Sequence, residues 1–166
     1  MKGEAKTFVA SLSVPEGYVR FTKDGTGAFS LSYPQTWSIG ENSNPSVSVI
    51  LIEPERDANF LTNLNVVVVS ASQSIDEVFS QMTEDQMKEG MPADYRLIAK
   101  SKEKVNGKDC VKLVAAYSMP GNTIRQIQYI VVKEAASLYF ITFSMDADRY
   151  QLEQSTMEKV MNSLEF

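Results

Sequence analysis

Residues 28–33, AFSLSY, alternate in polarity, with Phe29, Leu31 and Tyr33 to one side and Ala28, Ser30 and Ser32 to the other. That is the period of a strand with one face turned inward. A shorter strand at 18–21 and the turn-rich KDGTG at 23–27 precede it. It breaks at Pro34, and the chain's only tryptophan, Trp37, follows three residues later. VSVILIE (47–53) and NLNVVVVSA (63–71) are apolar at both parities, which predicts central strands covered on both sides. The period then changes. Ile75, Val78, Phe79 and Met82 fall at helical spacing, Ser74 with Glu77 makes a capping box, and Gly90 with Pro92 supplies a stop. One amphipathic helix over 74–90 is expected.

Three or four strands follow, at 95–105, 108–119, 123–133 and 137–145. Their connections, NGK, PGN and EAAS, are tight enough to predict an antiparallel meander. The chain closes on a second helix from about Asp148, capped by Asp148 with Gln151, with Leu152, Met157, Val160, Met161 and Leu164 on one stripe. The expected fold is α+β, a largely antiparallel sheet covered by helices in an α/β/α-type sandwich. Residues 1–16 are weakly patterned and are expected to be a flexible N-terminal segment or tether, with 17–166 a single domain.

Composition narrows the chemistry. The 166 residues carry a net charge of −5, which opposes a general affinity for nucleic acid. Histidine is absent, removing the commonest general base and metal ligand and every Ser-His or Cys-His pair. One cysteine, Cys110, allows no internal disulfide. No apolar run is long enough to span a membrane, and MKGEAKTFVASLSVPEG lacks the apolar centre of a secretory leader. Two accounts stay open: a cytoplasmic protein, or a chain that starts downstream of a removed leader. The second is preferred, giving an exported, cell-envelope-associated domain.

FSLSYPQTW and the order of elements resemble the PsbP-like family, whose fold is shared with a eukaryotic family that binds the GTPase Ran. Phe29, Tyr33, Pro34 and Trp37 match that family's opening F-x-x-x-Y-P-x-x-W, and VNGKDCVKL (105–113) is similar to its turn into the long central strand. The resemblance spans residues 18–166 and implies a PsbP-like fold. In plants PsbP helps photosystem II retain calcium and chloride, and the bacterial relatives are often exported lipoproteins. The histidines implicated in the plant protein have no counterpart here. Phe29, Tyr33, Pro34 and Trp37 are therefore expected to anchor the fold: proline ends the strand at a sheet edge, and the indole folds back onto the sheet.

The lysines at 100, 102, 104, 108 and 112 are the best candidate site. A two-residue Asn-Gly turn would pair Val105 with Lys108 and set Lys100 and Lys102 on the face of Leu113 and Val111. A three-residue loop, Val105-Asn106-Gly107, would pair Lys104 with Lys108 instead. Leu97, Ala99, Val111, Leu113 and Ala115 would then share one face and all five lysines the other. The apolar pattern selects this second register, so Lys100, Lys102, Lys104, Lys108 and Lys112, joined by Arg96, are expected to form one patch. Such a patch would dock an acidic protein or an anionic surface; the competing reading is protection of a sheet edge.

Other constellations offer less. Asp146 with Asp148, and Glu53 with Glu55, lack the glycine-turned, oxygen-rich loop of a calcium site. KDGTG has neither the ending nor the following helix of a phosphate loop. Cys110 would face Lys102 but has no histidine to activate it. The methionines mostly fall on helix stripes as core filler, with Met82, Met87 and Met91 the exception. The expectation is a non-enzymatic binding or assembly module without cofactor or metal, monomeric or weakly dimeric, acting on an envelope or membrane-complex partner. The alternative is a small-ligand or calcium carrier, with its site near Trp37 between sheet and helix.

Overall fold

The structure is a computed structural model and describes residues 14–133 and 136–166. Most of the tether expected at 1–16, and the middle of the EAAS connection, lie outside the described residues. Two strands, β1 (Tyr18–Lys23) and β2 (Phe29–Pro34), form an antiparallel hairpin of their own. Seven others form the main sheet: β3 (Ser38–Ile39), β4 (Val47–Ile52), β5 (Asn63–Ser70), β6 (Arg96–Val105), β7 (Lys108–Met119), β8 (Asn122–Lys133) and β9 (Ser137–Asp146). Their order is β3-β4-β5-β9-β8-β7-β6, antiparallel throughout. The expected meander is the run β6 to β9.

Helix α1 (Ile75–Gln81), α2 (Glu84–Met87) and α3 (Tyr150–Asn162) complete the chain. Among the described residues, most buried apolar side chains fall into two clusters. In the first, Met157, Val160 and Met161 of α3 and Phe29 and Leu31 of β2 pack with Leu51, Leu64, Ile127, Ile141 and Phe143 from the sheet. In the second, Val78 of α1 packs with Val111, Leu113, Ile130 and Leu138, whose positions have the opposite strand parity. Phe79, Met82, Met87 and Leu97 pack around its edge.

The capping box at Ser74 forms as expected, with Glu77 N–H donating to Ser74 Oγ (3.2 Å) and Ser74 N–H to Glu77 Oε2 (2.7 Å). The single helix over 74–90 does not. Thr83 takes an extended backbone and its Oγ1 accepts from the Gln86 N–H (3.4 Å), so a new helix start interrupts the old helix. Threonine's capping preference outweighs an unbroken apolar stripe. The Asp148–Gln151 cap is also absent: residues 147–149 form a 3-10 turn, and α3 begins without a side-chain cap. Leu152, expected on the buried stripe, is 71% exposed.

Strands β4 and β5 differ from expectation as well. Val49, Leu51, Leu64 and Val66 are buried in the first cluster, while Ile50, Ile52, Asn63 and Asn65 are only half-buried and belong to neither cluster. A continuous apolar run does not by itself place a helix over both faces.

Candidate functional site

The five lysines lie on the β6–β7 hairpin. Asn106 (φ 48°) and Gly107 (φ 78°) form a two-residue turn that pairs Val105 with Lys108, so the three-residue register is wrong. Two positive φ values in a row are what an Asn-Gly hairpin turn requires. The apolar objection to this register disappears because the β6–β7 pairing shifts between Leu97 and Ala99. That bulge returns Leu97 to the face of Lys100, so one strand delivers an apolar residue and lysines to the same side.

The five lysines therefore do not share a face. Lys100, Lys102 and Lys104 lie on the α1 side. Lys100 Nζ donates to the Phe79 carbonyl (2.8 Å) and sits 4.1 Å from the centre of its ring. Lys102 pairs with Asp76 and stands 5.0 Å from the same ring. Lys104 pairs with Asp109 (2.8 Å). Lys108 and Lys112 project to the other side, where Lys112 lies opposite Ser101 and 3.9 Å from Glu103. Cys110 is fully buried opposite Glu103, not facing Lys102, and burial pushes its thiol pKa up to about 12.

Phe29 is a buried member of the first cluster, and Tyr33 and Trp37 are partly buried against that cluster. Pro34 closes β2 opposite Tyr18, and the Trp37 N–H donates to the Pro34 carbonyl (2.9 Å). Tyr139 donates to the Ala28 carbonyl (3.0 Å), and Ser30 exchanges both backbone hydrogen bonds with Glu165 (2.9 Å each).

A different surface has the more unusual composition. On the α1 side of the sheet, but away from α1, the antiparallel register builds two cross-strand rows over β5, β9 and β8. One row is Asn63, Ser144 and Gln126; the other is Asn65, Thr142 and Gln128. Gln128 donates to Thr142 Oγ1 (2.9 Å). Ile52 and Ile50 flank the rows on β4. All eight are uncharged and none belongs to a core cluster; Thr142 and Ser144 are buried, 6% exposed each, and the other six are half-buried. The signal was present in the sequence as NLN, QIQ and TFS, each with polar residues at one parity. Only the register brings the six together.

The lattice runs along β9 into a cleft of about 440 Å³. The cleft lies between the β4–β5 loop (Arg56, Asp57, Asn59), the start of β8 (Asn122, Thr123) and the end of β9 (Asp146, Asp148). An ion network beneath fixes its wall. Glu53, 6% exposed, accepts from Arg56 Nε (2.9 Å) and the Thr62 N–H (2.6 Å), and lies 3.5 Å from Arg149. Burial opposes its charge, but Arg56, Thr62 and Arg149 outweigh that and hold Glu53 below the ordinary carboxylate range. Arg56 also reaches Asp146 (3.6 Å), and Arg149 reaches Glu153 (2.6 Å). Among the described residues no group of three metal-ligating side chains converges.

Cyanobacterial PsbP (CyanoP) from Synechocystis sp. PCC 6803 superposes with a TM-score of 0.67 at 16% identity, covering 98% of this chain and 97% of its own. LpqN of Mycobacterium tuberculosis, involved in cell envelope biogenesis, gives 0.64 at 13% identity, covering 89% and 90%. The Saccharomyces cerevisiae Ran-binding protein Mog1p gives 0.61 at 8% identity, covering 89% and 94%. This chain spans about half, 47%, of a Bacteroides thetaiotaomicron protein of similar fold. No curated protein matches the sequence. These likenesses show the fold alone, but the PsbP family model matches residues 16–166, nearly the whole chain. The chain belongs to the PsbP family.

Proposed function

We propose that this domain is a non-enzymatic binding module that engages a protein partner of the cell envelope through the uncharged lattice on β5, β9 and β8. The carrying observation is the lattice itself: six hydrogen-bonding side chains, free of formal charge, on a sheet face outside both apolar cores. Solvated sheet faces carry lysine and glutamate at little cost; interface centres are depleted in charge. The cleft at Asp146 ends the surface with a negative rim suited to a basic side chain.

Catalysis has little to work with. The chain has no histidine, and the perturbed carboxylate Glu53 is committed to two arginines. Solved proteins of this fold include one named for binding Ran and one for a role in envelope biogenesis, which supports a protein partner and an envelope location. No helix of the described residues is long and apolar enough to cross a membrane. We read the two helix layers as an α/β/α-type sandwich, and Phe29, Tyr33, Pro34 and Trp37 as the anchor that holds the β1–β2 hairpin to it. The β6 lysines are assigned to edge protection and to α1, not to partner docking.

Photo-crosslinking in the source cells tests the assignment. A benzophenone amino acid at Asn65 or Gln128 should yield one discrete protein adduct, and the same group at Lys104 should not. Adducts from Lys104 alone would return the site to the lysine hairpin.

A further inference from the structure

On the opposite side of the sheet, where α3 crosses β7 and β8, a cavity of about 90 Å³ interrupts the first apolar core. Ile127 and Met157 form its apolar part, and both are buried. Lys112, Tyr129, Tyr150 and Gln154 supply polar groups. We propose that this cavity binds a small aliphatic monocarboxylate of two or three carbons.

Lys112 supplies the cavity's positive charge. Its cross-strand partner is Tyr129, and its neighbours Cys110 and Val114, at the same parity, are fully buried or nearly so. A lysine at such a position brings a charge to a place where an apolar side chain would pack. The ammonium lies 5.5 Å from the Tyr129 ring centre and beside its hydroxyl. Burial works against the charge, but Tyr129 and Glu103 outweigh it and keep the group protonated. Glu103, at 3.9 Å, is beyond hydrogen-bond reach, so the ammonium keeps donors to give.

The surrounding groups give the site its sign. The Tyr129 hydroxyl and the Gln154 amide line the same space and both can donate. Behind the Tyr150 wall, the Arg125 guanidinium lies 5.0 Å over the ring and adds positive potential. One cation, Lys112, and the donors of Tyr129 and Gln154 line the same small space and suit an acceptor bearing negative charge. The room is about three waters' worth, which suits acetate or propionate and excludes a peptide. Glu158 at the mouth and Glu103 beside Lys112 disfavour a dianion such as sulfate, whereas Ile127 and Met157 suit a short alkyl tail. This site lies on the other face from the lattice, so its test is independent of the partner assignment.

Amide chemical shifts of the full chain, titrated with sodium propionate and separately with sodium sulfate at constant ionic strength, decide the matter. Propionate should shift the amides of Lys112, Tyr129 and Gln154 saturably, and sulfate should not. Lys112→Met keeps the aliphatic stem and should weaken propionate by about tenfold or more, the loss expected when a charge-assisted hydrogen bond is removed. Tyr129→Phe, which keeps the ring in the core, should weaken it by a smaller factor and serves if Lys112→Met misfolds. Absence of saturation, equal binding by both variants, or equal binding of sulfate overturns the proposal.

Discussion

Lys100→Glu separates the two hairpin registers through stability alone. In the observed register Lys100 is half-buried across α1, its ammonium donating to the Phe79 carbonyl in the last turn of that helix. A partly buried hydrogen bond with one charged member contributes about 1–2 kcal/mol. The contact with the Phe79 ring, at 4.1 Å, adds about 0.5–1 kcal/mol. A carboxylate placed at the carbonyl end of a helix costs a few tenths of a kcal/mol more. The sum, about 2–3 kcal/mol, corresponds to a fall in Tm of about 4–12 °C for a chain of this size. Lys104→Glu reverses the same charge, but Lys104 and Asp109 are 69% and 50% exposed, so its effect should stay within about 0.5 kcal/mol. Lys100→Met, which keeps the stem against Phe79 and loses only the donor, should fall between them. Thermal unfolding followed by circular dichroism reads all three. In the three-residue register Lys100 points away from α1, so a Lys100→Glu melt equal to both wild type and Lys104→Glu would refute the reasoning.

Three further outcomes follow from buried groups. Glu53→Gln should destabilise the domain at neutral pH and progressively less in acid. The wild-type carboxylate, held below its ordinary pKa, contributes fully above that ordinary range, and its contribution is lost as pH falls through the lowered value; urea unfolding across pH checks this. Cys110, fully buried with its pKa near 12, should resist a disulfide reagent in the native protein at mildly alkaline pH and react once unfolded; stoichiometric native reaction would contradict its placement. Leu164→Ala should cost about 2–4 kcal/mol in urea unfolding, because a 1%-exposed side chain leaves a void between α3 and the β1–β2 hairpin.

The differences between sequence and structure have identifiable causes. The first three strands of the meander were legible because glycine turns at Asn106-Gly107 and Gly121 fix where one strand ends and the next begins. The break at Thr83 was legible in principle, since Thr83 with Gln86 is itself a capping signal, but the apolar stripe from Ile75 to Met82 masked it. The lysine register failed on one local event: alternation was carried unbroken from Leu97 to Lys104, whereas a bulge after Leu97 resets the parity. The long aliphatic stems then let lysines lie over Phe79, where an alternation rule admits only apolar residues.

Local patterning accounts for which segments alternate, where turns fall, the Ser74 cap, and a composition without histidine. Strand periodicity also set the polar parity of Asn63 and Asn65, Gln126 and Gln128, and Thr142 and Ser144. Tertiary structure decided that β9 lies between β5 and β8, and this alone assembles those pairs, up to 81 positions apart (63 to 144), into one surface. It decided in the same way that Lys112 meets α3 while Lys100 meets α1. Strand order and register are set by which faces bury the most apolar area together, a sum over the whole chain that no single segment contains.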